Sequence, residues 1–235
     1  MIEKDDPIPK DRTIIGHANN LLVSPTPPPL MMLSKDFSFL RTDSSYLYIG
    51  AATPTGKILS FVKKHNIAGF EFLSKLPGSL GGMVAMNAGV KEYEIFNRLD
   101  ALKINGKWIP KEAVDYGYRF AQLKGVVTEV RFALEWGFDG VLMEALRALR
   151  SNQPKLPSAG SAFKNPQGDY AGRLIDAVGL KGYGQGAMEW SQVHANFLVN
   201  HGGGTFEDAK ALIDLAKERV YHDFGITLVE EIKIL

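Results

Sequence analysis

The residues best suited to chemistry lie in the stretch 157–166, which begins and ends with proline. It contains a serine hydroxyl at Ser161, a lysine ammonium at Lys164 and a carboxamide at Asn165. The stretch has too little apolar surface to form a core, and Gly160 lets a ligand approach the backbone. A surface turn is the ordinary interpretation of such a cluster. The alternative is a site that places a hydroxyl and a cation beside an anionic ligand.

A second candidate lies in the glycine-rich stretch 70–89. Gly78, Gly81 and Gly82 occur where the chain is predicted to turn into a helix. Unbonded backbone amides at a helix start, together with the helix dipole, suit a diphosphate. The spacing is neither the GxGxxG pattern of a dinucleotide-binding βαβ unit nor the GxxxxGK[ST] phosphate loop. Close packing of a helix on a sheet through small residues is an equally compatible interpretation.

Three further groups of polar residues suit a ligand, and each also has an ordinary structural interpretation. Asn19 and Asn20 follow a Gly-His-Ala turn and could donate hydrogen bonds to a phosphate, although such a turn often binds nothing. The Tyr-Arg pair at 118–119 could hold a carboxylate through the guanidinium fork or be a solvated charge. Glu231 and Lys233 share one face of a predicted strand, where mixed charges are also common at an exposed face.

The elements that must position these residues follow from hydrophobic spacing and capping. The predicted helices are 55–66, 139–150, 169–178 with Asp169 as its cap, and 205–225 with a Thr205–Asp208 capping box. The predicted strands are 13–24 with a turn inside it, 99–110 with an Asn105-Gly106 hairpin turn, 126–134, 194–200 and 226–235. This mixture predicts an α+β fold with a domain boundary near the helix at 139–150.

Composition excludes several classes of protein. The chain has 235 residues, 45% of them hydrophobic and 23% charged, which is typical of a globular protein. A formal net charge of +1 gives no electrostatic basis for binding nucleic acid or an anionic membrane. The absence of cysteine removes disulfides, thiolate nucleophiles and zinc–thiolate sites, and the five histidines are too scattered to predict a metal site. The polar N-terminus is not a signal peptide and no apolar run approaches a membrane span, so a cytoplasmic protein is expected.

Several of these stretches occur together, and in the same order, in one known family. The chain resembles the bacterial UDP-N-acetylenolpyruvoylglucosamine reductases, the MurB flavoproteins of peptidoglycan precursor synthesis. The matching segments are 15–23, 76–82, 86–89, 118–119, 157–166, 194–200 and 231–233. The Gly-Ser-Ala-Phe-Lys-Asn-Pro run at 160–166, combined with the two glycine-containing segments, is more specific than any one motif.

The resemblance implies an α+β fold in two parts. A FAD-binding region of the vanillyl-alcohol-oxidase (PCMH) type would cover residues 1–135, with a shortened N-terminus, because the start typical of the family is absent ahead of the first flavin loop. An α+β substrate-binding domain would cover residues 136–235, and its last strand would return Glu231 to the active site. The short spacing between Arg119 and Ser161 resembles the second, shorter family class, which lacks an additional tyrosine-bearing loop.

The resemblance also implies a reaction. NADPH would reduce FAD, and the flavin would pass a hydride to the enolpyruvyl group of UDP-N-acetylglucosamine enolpyruvate, giving UDP-N-acetylmuramate. Arg119 and Glu231 would stabilise the enolate-like charge, Glu231 when it carries or shares a proton. Ser161 would donate the proton, its hydroxyl polarised by a neighbour such as Lys164. Residues matching substrate contacts are Tyr118, Lys164, Asn165, His194 and Lys233. Residues matching cofactor contacts are Gly16, His17, Ala18, Asn19, Asn20, Leu21, Pro77, Gly78, Ser79, Gly81, Gly82, Asn87, Ala88, Gly89 and Val127.

Two other interpretations remain open. A different flavoprotein of the same superfamily, such as an oxidase of small alcohols, would have no need of the nucleotide-binding stretch at 157–166. A flavin-free sugar-nucleotide binder is compatible with the shortened N-terminus and with His17-Ala18-Asn19, where the family's flavin loop usually has a serine. The expected partners are the sugar nucleotide and NADPH, with no nucleic acid, membrane or metal, and the expected state is a monomer.

Overall fold

The computed structural model describes residues 1–3, 9 and 11–235. Half of the polar N-terminal stretch 1–6 that argued against a signal peptide, residues 4–6, therefore lies outside the described residues. The strands are β1 Thr13–Ile14, β2 Leu21–Leu22, β3 Leu30–Met31, β4 Leu40–Thr42, β5 Tyr46–Gly50, β6 Gly89–Val90, β7 Tyr93–Glu94, β8 Leu99–Ile104, β9 Lys107–Pro110, β10 Tyr116–Gly117, β11 Phe120–Ala121, β12 Val127–Ala133, β13 Ser158–Ser161, β14 Gly184–Gln185, β15 Met188–Trp190, β16 Phe197–Asn200 and β17 Lys233–Ile234. The helices are α1 Thr55–Lys64, α2 Leu80–Ala85, α3 Ile95–Arg98, α4 Gly140–Ala148, α5 Ala171–Ala177 and α6 Phe206–Phe224, with 3₁₀ turns at Lys35–Phe37, Glu71–Leu73 and Lys111–Ala113. The predicted mixture of helices and strands is confirmed.

The chain divides into two units. Unit 1 comprises residues 1–17 and 28–150, and unit 2 comprises residues 18–27 and 151–235. The division falls after Arg150 and not after residue 135, because α4 packs Leu146 into the core of unit 1. The sequence analysis assigned FAD to the first part and substrate to the second, and that assignment stays a prediction.

Unit 1 is organised around a five-stranded antiparallel sheet in the order β4-β5-β12-β8-β9. Asn105 and Gly106 form the β8–β9 turn with φ of 49° and 81°, as the Asn-Gly pair predicts. On α1, Ile58 and Val62 are fully buried and Leu59 between them is partly buried. A register shift in β12 lies between Val127 and Glu129. The strand predicted at 126–134 is therefore interrupted by a bulge.

Unit 2 contains a four-stranded antiparallel sheet in the order β13-β16-β15-β14. The side chains of α5 and α6 pack with it in one hydrophobic core that includes Trp190, Leu212 and Ile213. The predicted capping box of α6 is complete, since Thr205 and Asp208 each accept a hydrogen bond from the other's backbone N–H. A separate parallel pair joins β2 to β17.

Two predicted strands of unit 2 are shorter than expected. The strand predicted at 194–200 begins only at Phe197, because the hydroxyl of Ser191 accepts hydrogen bonds from the N–H groups of Val193 and His194 and holds a turn there. The strand predicted at 226–235 is reduced to β17 and a single bridge between Phe163 and Glu230.

The predicted cap of α5 is also wrong. Tyr170 occupies the cap position without a side-chain bond, and the N–H of Ala171 donates to Oδ1 of Asn165. Asp169 instead pairs with Arg173 four residues later, and that guanidinium holds the pKa of the Asp169 carboxyl at about 2.

Among the described residues, no helix is both long enough and apolar enough to cross a membrane.

Candidate active-site residues

The end of β13 presents the proposed proton donor at a bulge. Ser158 pairs with Val199 and Ser161 with Phe197, so β13 has one more residue than β16 over this interval. Gly160 lies inside the interval with φ +82°, a conformation that favours glycine. Bulges of this kind redirect the following side chain. The Ser-Ala-Gly-Ser run is therefore a bulged β-strand and not a simple surface turn.

The backbone after Ser161 is held from two sides. On one side the N–H of Ala162 donates to the carbonyl of Asn196 at 2.7 Å. On the other side the N–H of Lys164 donates to the carbonyl of Val229 at 2.9 Å, and the N–H of Glu231 donates to the carbonyl of Ala162 at 2.8 Å. The predicted catalytic residues Ser161 and Glu231 are thus linked through the backbone of Ala162.

The side chains of this segment have distinct partners. Ser161 and Lys164 are both described by the structure, and no hydrogen bond joins the hydroxyl of the first to the ammonium of the second. The expected polarisation of the Ser161 hydroxyl by Lys164 is therefore not supported by a direct contact. Asn165 uses its carbonyl oxygen to bind the N–H of Ala171, at 3.1 Å. Because the carbonyl oxygen is used at the start of α5, the amide nitrogen is the part of the Asn165 side chain that remains able to donate a hydrogen bond to a ligand.

The first predicted cofactor loop is bound to the C-terminal segment of unit 2. Asn20 donates from Nδ2 to the backbone carbonyl of Glu231 at 2.8 Å. The N–H of Lys233 donates to the carbonyl of Asn20 at 2.9 Å, and Leu21 pairs with Lys233 in the parallel β2–β17 ladder. Three groups that the sequence predicted separately are therefore neighbours.

His194 is held as a neutral hydrogen-bond donor. Its Nδ1 accepts the N–H of Asn196 at 3.2 Å, so the proton of the neutral ring lies on Nε2. Burial lowers the pKa of His194, and the charge of Lys181 lowers it further. The ring packs edge-to-face on Phe197, and a Cβ added at Gly172 would lie 3.0 Å from its Cε1. The predicted substrate contact therefore has a fixed tautomer and a fixed place.

In unit 1, the glycines of the predicted cofactor site form a close contact. A Cβ added at Gly16 would lie 2.8 Å from Oγ of Ser79, and a Cβ at Gly82 would meet only that same oxygen, at 3.8 Å. Ser79 precedes α2 but its side chain makes no capping bond. Position 16 therefore has no room for a side chain, and Gly82 leaves open space beside a hydroxyl that is not used for capping, an arrangement compatible with a bound cofactor.

The expectation of unbonded amides at the start of α2 is wrong for Leu80 and Gly81. The N–H of Leu80 donates to the carbonyl of Thr53 at 3.0 Å, and that of Gly81 donates to the carbonyl of Ala51 at 2.8 Å. A Cβ at Gly81 would lie 3.2 Å from the same carbonyl oxygen. At Gly81 the close-packing interpretation is therefore confirmed.

Arg119 lies in the two-residue turn between β10 and β11, at φ 58°. Its Nη1 donates to Oε1 of Glu94 at 3.2 Å, and its Nη2 donates to the carbonyl of Gly89 at 3.0 Å. Asn87, which is 1% exposed, donates from Nδ2 to Oε2 of Glu94 at 2.8 Å and to the carbonyl of Gly117 at 3.0 Å. Asn87, Gly89 and Arg119, predicted in two different roles, are held together by Glu94.

Sequence reasoning missed Glu94 because nothing in its local pattern marks it. It lies in a short strand without hydrophobic periodicity, and its partner Arg119 is 25 residues away. Asn196 was missed as an individual residue although the segment containing it was singled out. Its position beside His194 was the available signal.

The remaining predicted residues are placed as follows. Tyr118 is 46% exposed, with the guanidinium of Arg119 at 4.9 Å from its ring centroid. Val127 is buried in the core of unit 1, so only its backbone is available to a ligand. The exposed members of the predicted cofactor set are His17, Ala18, Asn19 and Pro77. In the part of the chain that the structure describes, no three histidine or acidic side chains lie close enough to hold a metal ion.

Comparison with known proteins identifies close relatives. Residues 152–235 match the family described as UDP-N-acetylenolpyruvoylglucosamine reductase, C-terminal domain. The protein named UDP-N-acetylenolpyruvoylglucosamine reductase in Helicobacter hepaticus is 53% identical over 222 residues, which are 94% of this chain and 84% of that protein. The protein of the same name in Helicobacter pylori strain 26695 is 45% identical over 235 residues, 100% of this chain and 91% of that protein.

A solved structure is similar over nearly the same length. The crystal structure of UDP-N-acetylenolpyruvylglucosamine reductase (MurB) from Thermus caldophilus aligns with a TM-score of 0.83 at 32% identity, and it covers 95% of this chain and 85% of that chain.

Proposed function

Because the chain belongs to the UDP-N-acetylenolpyruvoylglucosamine reductase family, we propose that it reduces the enolpyruvyl group of UDP-N-acetylglucosamine enolpyruvate to give UDP-N-acetylmuramate in peptidoglycan precursor synthesis. The observation that carries the proposal is the 53% identity to a protein of that name over 94% of this chain. The proposal assigns the protein to the cytoplasm and to the shorter family class, acting as a monomer.

The substrate is an anion, and unit 2 offers cations and neutral donors for it. Lys164 and Lys233 supply positive charge, and neutral His194 donates from Nε2. Asn165 donates from its amide nitrogen, because its carbonyl oxygen already binds Ala171. In unit 1 the exposed Tyr118 is the fifth proposed substrate contact.

The reaction adds a hydride to the terminal carbon of an enol ether that is conjugated to a carboxylate. FAD, reduced by NADPH, supplies that hydride when bound. Negative charge then develops on the neighbouring carbon and on the carboxylate, where Arg119 and protonated Glu231 stabilise it. A preorganised donor aimed at developing charge is worth on the order of 3 kcal/mol. Ser161 delivers its proton to the neighbouring carbon, which completes the saturated product.

The support for Arg119 is its fixed geometry. Glu94 and the carbonyl of Gly89 hold its guanidinium, so little reorganisation is needed when charge appears in the substrate. Glu94 itself is held by Asn87. We assign Glu94 and Asn87 as residues that position Arg119.

The residues proposed to hold FAD are those of the sequence prediction, with two refinements. Gly16 allows the close approach to Ser79 that a side chain would block, and Gly81 contributes close packing instead of a free amide. The complete set is Gly16, His17, Ala18, Asn19, Asn20, Leu21, Pro77, Gly78, Ser79, Gly81, Gly82, Asn87, Ala88, Gly89 and Val127.

The test begins with the visible absorption spectrum of the purified chain, with and without added FAD. An oxidised-flavin spectrum that NADPH bleaches anaerobically, and that UDP-N-acetylglucosamine enolpyruvate restores, is the expected result. A flavin that NADPH or another donor reduces but that this substrate does not reoxidise would favour another oxidoreductase of the superfamily. A colourless protein that binds the sugar nucleotide would favour a flavin-free binder.

A further inference from the structure

Asn196 has an unusual set of partners for a residue with no proposed chemical role. It is 3% exposed, and its carboxamide makes both of its hydrogen bonds to the backbone of one residue, Phe163. The N–H of Phe163 donates to Oδ1 at 3.0 Å, and Nδ2 donates to the carbonyl of Phe163 at 2.8 Å. The backbone of Asn196 accepts from Ala162 at 2.7 Å and donates to Nδ1 of His194 at 3.2 Å.

These bonds fix the two residues that separate Ser161 from Lys164. Ala162 and Phe163 are each 1% exposed, so neither can touch a ligand in solvent. The ring of Phe163 stacks on Trp190, with centroids 5.9 Å apart. Phe163 is therefore held through its ring and through both polar groups of its backbone, and it serves as an anchor for the residues on either side of it.

We infer that Asn196 is the positioning residue of the proton-transfer site, which fixes Ser161 and Lys164 through Phe163 and fixes the donor tautomer of His194. The inference rests on the proposed function, because it concerns the role of Ser161 in that reaction. Misplacing a reacting group by about 1 Å costs on the order of 10²-fold in rate. A residue that controls three proposed contacts at once should have an effect of that size.

The chemistry of the contact requires an asparagine. One partner on Phe163 is a donor and the other is an acceptor, and a carboxamide matches both. An aspartate of the same shape accepts from the N–H of Phe163, but its second oxygen then faces the carbonyl oxygen of Phe163. Only the protonated carboxyl replaces the lost donor. Burial and the facing carbonyl favour that neutral form, so the aspartate is expected to titrate above its ordinary pKa of about 3.9.

The experiment compares Asn196→Asp with Asn200→Asp, the same change four residues along at the end of β16. Oδ1 of Asn200 accepts from the N–H groups of Gly202 and Gly204, at 2.8 and 3.1 Å. A carboxylate accepts equally well, so Asn200→Asp is a matched control that should leave both half-reactions unchanged.

For Asn196→Asp, flavin reduction by NADPH should stay within about twofold of the wild-type rate, while reoxidation by UDP-N-acetylglucosamine enolpyruvate should slow by about 10²-fold near pH 8. The deficit should shrink as the pH is lowered toward about 6, because protonation restores the second hydrogen bond. The rate of the variant is divided by the wild-type rate at each pH. This ratio cancels the pH dependence that comes from neighbouring titratable groups present in both proteins, which are His194, Lys164, Glu230 and Glu231.

A second readout needs neither flavin nor a variant. In the wild-type chain labelled with ¹⁵N-phenylalanine, the amide of Phe163 should exchange with solvent as slowly as core amides. Fast exchange at Phe163 would overturn the inference even if Asn196→Asp does not fold.

The other outcomes separate two failures. Equal losses in both half-reactions, or a pH-independent ratio near one for Asn196→Asp, would overturn the positioning role while the proposed function stands. A wild-type flavoprotein that the sugar nucleotide does not reoxidise would overturn the proposed function, and the positioning role in that reaction with it.

Discussion

Ser161 is partly exposed at the end of β13, and the backbone on its C-terminal side is fixed by hydrogen bonds from two segments of unit 2. A free serine hydroxyl is a weak acid, so its contribution must come from placement beside the carbon that accepts the proton. We expect Ser161→Ala to leave flavin reduction by NADPH near normal and to slow reoxidation by the sugar nucleotide by at least ~10²-fold. Anaerobic stopped-flow absorbance measures both steps. Equal loss in both steps would remove Ser161 from the proton-donor role.

Glu94 is the residue on which the orientation of Arg119 depends. We expect Glu94→Gln to slow the same reoxidation step by about tenfold, because the guanidinium loses a charge-assisted bond, and Arg119→Ala to slow it further. Glu92→Gln is the matched control, since Glu92 is exposed and two residues away. If Glu94→Gln and Glu92→Gln behave alike in stopped-flow reoxidation, then Glu94 does not position Arg119.

At the residue scale, the sequence pointed to the side chains proposed to react and missed the residues that contact them. Ser161, Lys164, Arg119 and Glu231 have functional groups that are rarely found without a partner or a solvent contact. Asn196 hydrogen-bonds to Phe163, which is 33 positions away, and a local sequence pattern cannot predict a contact over that separation.

At the element scale, α5 meets the proposed substrate site through the close approach of Gly172 to His194. A methyl group at Gly172 would lie 3.0 Å from Cε1 of the ring, which must then move by a few tenths of an ångström. We expect Gly172→Ala to raise the Kd for the sugar nucleotide by about fivefold, equivalent to roughly 1 kcal/mol. Isothermal titration calorimetry measures that constant.

The matched control for Gly172→Ala is Gly56→Ala near the start of α1, where an added Cβ meets nothing within 4 Å. Both changes add one methyl group to the first turn of a helix, so their effects on helix propensity are similar. An unchanged Kd in both variants would mean that α5 does not hold His194 in its binding position.

The elements that were predicted well have local causes. The capping box and the glycine after α6 lie within the helix that they bound, and the Asn-Gly turn lies within its own hairpin. The elements that were predicted poorly depend on partners elsewhere. The segment 226–235 alternates like a strand, but it pairs only where β2 and Phe163 provide a partner.

At the scale of the whole molecule, the division into two units implies an accessible connection after α4. Residues 149–157 have no helix or strand, and Lys155 within them is exposed. Proteases cleave preferentially at such segments. We expect limited trypsin digestion to cut after Lys155 before other sites between residues 28 and 235, as judged by intact-mass spectrometry. Lys155→Gln should slow that cut, whereas an earlier cut inside either unit would contradict the division.

The sequence by itself determined the family resemblance, the main helices and the choice of side chains proposed to react, because motifs, caps and hydrophobic spacing are properties of neighbouring residues. Only the tertiary structure decided which residues contact the side chains proposed to react. Three contacts join distant parts of the chain in this way. They are the ion pair of Glu94 with Arg119, the two hydrogen bonds of Asn196 to the backbone of Phe163, and the strand pairing of Leu21 with Lys233. Such contacts form only when packing has brought both partners out of water, where an unpaired polar group is costly.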